Sequence, residues 1–151
     1  MKRRVDAGMN SLSEELIDTL KRIESLAASS FTIDALYLYG SRARGVARPD
    51  SDWDVGVLFS DYLADPVERA LRPQELEALL ERELKMYGLI SVVDLENVPP
   101  PLQWNIINGR RFFDRGVPRV RRVEGAITSR IEKDYSHVRP TVRAQHVRPS
   151  G

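Results

Sequence analysis

Gly40 and Ser41 precede an acidic pair, Asp52 and Asp54, within the stretch Leu36-Tyr-Leu-Tyr-Gly-Ser-Arg-Ala-Arg-Gly-Val-Ala-Arg-Pro-Asp-Ser-Asp-Trp-Asp-Val-Gly-Val-Leu-Phe59. An apolar run that ends in Gly-Ser and then supplies Arg42 and Arg44 suits a phosphate cradle. Glycine lets the backbone approach a ligand closely, the serine hydroxyl adds a donor, and guanidinium groups neutralise phosphate oxygens. A helix opening at Ser41 would add free N–H groups and the positive end of its dipole, although Arg42 and Arg44, two apart, would not share a helix face. The carboxylates of Asp52 and Asp54 alternate, which on a strand places both on one face. Two such groups repel each other and lose solvation when partly buried, and a hard divalent cation such as magnesium, or manganese, relieves both costs. A phosphate clamp beside a cation site is nucleotide chemistry. Each piece alone has a plainer reading, Gly-Ser as a strand exit and Asp50 to Asp54 as an acidic turn.

Asp94 is a third carboxylate, set in the otherwise apolar run Ile90-Ser-Val-Val-Asp-Leu95. An acid there needs a partner or a purpose. Beside Asp52 and Asp54 it would complete a three-carboxylate site able to hold two magnesium ions and to take the proton of an incoming hydroxyl. The plainer alternative is an acid at a strand end.

The elements that must position these residues follow from periodicity and punctuation. Residues 1–10 carry no pattern and are expected to be flexible. Ser11 and Glu14 have the spacing of a capping box, and Leu12, Leu16, Ile17, Leu20, Ile23, Leu26 and Ala27 repeat at helical spacing behind them. Phe31 to Tyr39 and Asp52 to Phe59 read as strands, with Trp53, Val55 and Val57 facing the core opposite the acids. Pro66 reads as a break. Pro73 to Tyr87 reads as a helix closed by Gly88, and Leu89 to Leu95 as a third strand. Pro99-Pro-Pro101 reads as a turn into a short helix that runs through Ile107, with Trp104 in the core. Asn108-Gly109 is a turn, Arg110 to Phe113 a short edge strand, and residues 117–135 a last helix striped by Val120, Val123, Ile127 and Ile131. The domain is thus 11–135, with a basic, disordered tail at 136–151.

The chain of 151 residues fits one domain. It has no cysteine, so disulfides and thiolate metal sites are excluded, and its two histidines, His137 and His146, lie in the tail, away from any zinc site or catalytic triad. No run reaches the roughly 18–20 apolar residues of a membrane helix, and the basic start Met1-Lys-Arg-Arg lacks the apolar stretch of a signal peptide, so no membrane contact and a cytoplasmic location are expected. The net charge of +1 conceals an imbalance: residues 110–151 hold eleven Arg or Lys against four acids. That run reads either as a solvated end or as a surface for an anionic partner. Nucleic acid is not expected to bind except through this tail.

Gly40-Ser41, ten residues, Asp52-x-Asp54 and then a single Asp94 on a later strand resemble the signature of the polymerase-beta-like nucleotidyltransferase superfamily. The surrounding Tyr39-Gly-Ser-Arg-Ala-Arg-Gly45, Arg48-Pro-Asp-Ser-Asp52 and Val93-Asp-Leu95 are most similar to the minimal nucleotidyltransferases of the MNT/MntA antitoxin type. The resemblance implies an α/β (α+β) fold, a small mixed sheet flanked by helices. It implies magnesium-dependent transfer of AMP from ATP to a tyrosine of a cognate HEPN-family toxin ribonuclease, held as a hetero-oligomer. In that scheme Gly40 and Ser41 hold phosphates, Asp52 and Asp54 bind metal, and Asp94 holds a second ion and activates the acceptor. Trp53, between the two acids, and the tail depart from the pattern. Two other readings stand beside it: a catalytically inactive antitoxin that neutralises its toxin by contact, and an adenylyltransferase for a small molecule of the aminoglycoside kind. The second lacks a sizeable further domain to build a pocket.

Overall fold

The computed structural model describes residues 7–134, and the basic tail expected at 136–151 lies outside them. A four-stranded mixed sheet forms the centre, in the order β3-β2-β1-β4. The strands are β1 (Ile33–Tyr39), β2 (Trp53–Phe59), β3 (Ile90–Asp94) and β4 (Arg110–Asp114). β1 pairs antiparallel with both β2 and β4, whereas β2 and β3 run parallel. The helices are α1 (Ala7–Ser30), the single turn α2 (Ser41–Arg44), α3 (Pro66–Leu84), α4 (Pro100–Ile107) and α5 (Pro118–Asp134), with a short 3-10 turn at Leu95–Asn97.

Alternation along the strands feeds two cores. Leu36 and Leu38 of β1, Trp53, Val55, Val57 and Phe59 of β2, and Ile90 and Val92 of β3 pack on Leu20, Ile23 and Ala27 of α1 and Leu76, Leu80 and Leu84 of α3. Ala35, Tyr37 and Leu58 point the other way, against Ile106 of α4 and Val120 and Ile127 of α5. β1 and β2 are covered on both faces, which is why they read as near-continuous apolar runs. α3 is the crossover that two parallel neighbours require.

Several boundaries differ from the expected ones. α1 opens at Ala7, so Ser11 lies within the helix and not at its start. α3 begins seven residues before Pro73, because Asp65 is its N-cap and accepts the Val67 N–H at 2.9 Å, while Pro66 takes the first helical position. Pro73 is therefore a buried residue inside the helix. The same helix ends at Leu84, with Lys85 in the left-handed region at φ 56, three residues short of Gly88. Ile106 is buried as expected, but Trp104 is only half-buried. Among the described residues no helix is long and apolar enough to cross a membrane.

Candidate active site

The candidate site lies where β1 ends and β2 begins. Antiparallel pairing sets Tyr39 opposite Asp54, so the turn that leaves β1 passes directly over the acidic strand. Gly40 makes that approach possible. Its φ of 79 is open to glycine, and a Cβ there would run into Asp54 Oδ2. The chain then makes one helical turn, stopped at Gly45, whose φ of 75 is again left-handed. The pieces expected to form a phosphate cradle, Gly40 and Ser41, therefore stand against a carboxylate of the expected metal pair.

Arg42 and Arg44 divide the work. Arg42 donates from Nη2 to the carbonyls of Ser51 at 2.8 Å, Pro49 at 3.1 Å and Arg48 at 3.3 Å, and from Nε to Ser51 at 3.2 Å. Its guanidinium lies 4.3 Å from the Trp53 ring centre. It fastens the loop that carries Asp52 and holds no donor from these two nitrogens for a phosphate. Trp53 is explained by the same contact: it is both core filling and the face on which Arg42 rests. Arg44 is exposed, and its positive charge favours ionised Asp54.

Asp54 is half-buried. Burial raises its pKa first and the negative charge of Asp52 second, with Arg44 opposing both. Tyr39, beside it, is pushed up to about 12 by burial and then by the charge of Asp54. A divalent ion between Asp52 and Asp54 would remove the repulsion and offset the desolvation, so these two residues fit such an ion.

Asp94 does not join them. β2 and β3 pair Asp54 with Ser91, and Val57 with Asp94. Asp94 thus sits three residues, roughly 10 Å, farther along the sheet. It also lies on the opposite face, the one shared by Val57 and Val92. It is buried at 4% exposure, and its Oδ1 accepts the Glu96 N–H at 3.0 Å, capping the 3-10 turn. Burial raises its pKa most, and the nearby Glu96 N–H and the charges of Arg72 and Arg69 work against that rise. The three-carboxylate cluster expected from the sequence is corrected accordingly: among the described residues no group of three acids or histidines is placed to hold a metal. The residue of β3 beside Asp54 is Ser91, which the sequence reading passed over. Residues 91 and 94 have opposite parity on one strand, so they could never share a face; the register says which of them meets Asp54.

With this geometry in hand, the relatives decide the family. The polymerase beta nucleotidyltransferase domain matches residues 21–116, well over half of the chain. The chain belongs to the polymerase beta nucleotidyltransferase family. No curated protein matches it significantly. Among solved structures, a toxin–antitoxin with AMP-PNP aligns over 89% of this chain and 98% of its own, at 18% identity and a TM-score of 0.55. A tri-AMPylated HEPN toxin in complex with MNT antitoxin from Shewanella oneidensis aligns over 88% and 97%, at 18% identity and a TM-score of 0.54. These likenesses bear out the mixed α/β fold of a nucleotidyltransferase. The family match spans β1 to β4 and includes every residue of the site. It stops before α5, the helix whose Val120 and Ile127 close the second core.

Proposed function

We propose that this nucleotidyltransferase is a magnesium-dependent protein adenylyltransferase, a cytoplasmic antitoxin that moves AMP from ATP to a tyrosine of a cognate HEPN toxin. The observation that carries the reading is the contact of Gly40 with Asp54. A backbone bend with no room for a side chain, a serine after it, and two carboxylates beneath it form a seat for a metal-bound triphosphate. The structural neighbours support the choice of partner, since one is a complex with an AMPylated HEPN toxin and another a toxin–antitoxin with AMP-PNP.

In this reading Asp52 and Asp54 hold the divalent ion, with manganese able to substitute. The ion, when bound, neutralises phosphate charge and stabilises the leaving oxygen. The Gly40 backbone and the Ser41 hydroxyl hold phosphate oxygens, and Arg44 adds positive charge at the rim. Arg42 keeps the Asp52 loop in register. The acceptor oxygen bonds to the α-phosphorus, the bond from that phosphorus to the β-phosphate's bridging oxygen breaks, pyrophosphate leaves with the electron pair, and the hydroxyl proton passes to solvent. The protein's contribution is position and charge.

A second reading, an inactive antitoxin that works by contact, is favoured by one observation: β3 brings no carboxylate to Asp54. One experiment separates the two. The chain is mixed with α-labelled ATP, magnesium and its source lysate, beside Asp52→Ala/Asp54→Ala. Label on a protein band with the unmutated chain alone is the expected result. Partner capture without label by both chains would make it a binder. A labelled small product would make it a small-molecule adenylyltransferase.

A further inference from the structure

Two ions in one site need carboxylates on both sides of the reacting phosphate, because each hard cation takes several oxygen ligands and the bound charges must be balanced. In this fold the second set can come from β3, the parallel neighbour of the strand that bears Asp54. Paired residues on adjacent strands, about 4.8 Å apart, point to the same side. Only one residue of β3 meets Asp54 in that way, and it is Ser91. Val93 follows on the same face and is apolar. The one acid of β3, Asp94, is on the reverse face and is held by the Glu96 N–H.

Two acids that the 3-10 turn and α5 bring to the sheet are engaged elsewhere. Glu124 accepts from the Tyr37 hydroxyl at 2.6 Å and from Arg111 at 2.7 Å, and Glu96 pairs with Arg119 at 2.6 Å. A serine hydroxyl is neutral at working pH; it offers one weak ligand and no charge to balance a second dication.

We infer that Ser91 occupies the second-ion position of this site, so that the chain takes one divalent cation, on Asp52 and Asp54, where a carboxylate at residue 91 would admit two. The inference rests on the reading of the site as a nucleotidyl-transfer centre. Two consequences follow. The leaving side of the reaction is neutralised, while the attacking hydroxyl meets no carboxylate from β3 and loses its proton unaided. Transfer by the native chain is therefore slow, and a carboxylate placed at residue 91 accelerates it.

The test counts ions and does not depend on turnover. Manganese bound per chain is measured by electron paramagnetic resonance with a saturating ATP analogue that has a methylene group between the α- and β-phosphorus. One ion on the native chain and two on Ser91→Asp is the expected result, together with transfer faster by about 100-fold, the scale of a positioned general base. Two ions on the native chain, or one on a folded Ser91→Asp, would overturn it. Asp94→Asn keeps the test sharp if Ser91→Asp does not fold, since the amide oxygen still accepts the Glu96 N–H. The ion count stays at one if Asp94 is outside the site, and loss of the ion would overturn the inference. Failure of the native chain to bind the analogue at all would instead bring down the nucleotidyl-transfer reading on which this rests.

Discussion

Half-buried Asp54 and buried Asp94 both have raised pKa values, yet burial serves different ends in the two. Asp54 is lifted by burial and by a second acid, an arrangement that a cation would relieve. Asp94 is lifted mainly by burial, and its carboxylate already caps a turn. A folded-state pKa above the unfolded value means that the native protein binds the proton more tightly. Asp94 thus adds stability at low pH, and that contribution is lost as pH rises from about 4, the unfolded carboxylate value, through the raised native value. Asp94→Asn should then be at least as stable as the native chain at pH 7, with the advantage vanishing as both are acidified; urea titrations at several pH values check this. A fall in stability at pH 7 would mean that the cap and the two arginines outweigh burial. Gly40→Ala makes the opposite kind of demand. A φ of 79 with ψ of −158 is a conformation essentially reserved for glycine and costs an alanine about 1–3 kcal/mol, and its methyl also displaces Asp54. Thermal melting should show that loss, and ATP affinity measured by calorimetry should fall by more than the same change at the open, left-handed Gly45 produces.

At the scale of elements, the loop between α2 and β2 decides where Asp52 sits, and Arg42 decides where the loop sits. Hydrogen bonds to a charged donor are worth about 1.5–3 kcal/mol when shielded, and the cation–π contact about 0.5–1 kcal/mol at an exposed site. Since part of the group meets water, Arg42→Ala should cost about 1–2 kcal/mol in urea unfolding. Amide exchange should quicken across residues 46–52, and affinity for the proposed divalent ion should fall although neither Asp52 nor Asp54 is touched. Unchanged exchange there would show that the loop stands without Arg42. This tie also marks the limit of what the sequence makes legible. Gly40, Ser41, Asp52 and Asp54 are legible as a proposed site because their spacing encodes a strand, a turn and a strand, all local. The ends of β1 and β2 followed from alternation to within two residues. Arg42's contacts with the loop carbonyls depend on how that loop closes in space, and the pairing of Ser91 with Asp54 depends on the parallel register set by α3. Neither leaves a periodic trace. Pro73 misled for a related reason: proline is a good first-turn residue, but Asp65-Pro66 is a better one, and the buried surface of Pro73 keeps it inside the helix.

Across the whole molecule, the site occupies one end of the sheet and an ion network closes the other. Asp34, 2% exposed near the start of β1, accepts from Ser60 Oγ at 2.7 Å, Arg115 Nε at 3.1 Å and Arg119 Nη1 at 3.1 Å. Arg119 goes on to the Phe59 carbonyl at 2.7 Å and to Glu96 at 2.6 Å. One side chain of α5 thereby gathers the beginning of β1, the end of β2 and the turn after β3, and fixes the last helix against a sheet that would otherwise expose its second core. Removing one partner of a buried pair is costly because the other charge stays behind in a poor solvent. Arg119→Ala should lower stability by about 3 kcal/mol, at the low end of that class because Arg115 remains. If stranded charge is the cause, adding Asp34→Asn should recover part of the loss, whereas lost packing alone would leave the double variant no better than the single one. Because the network and the proposed nucleotide seat lie at opposite ends of the strands, ATP-analogue affinity per folded molecule should be unaltered in Arg119→Ala. A matching fall in affinity would show that α5 positions Asp52 and Asp54 through the length of the sheet.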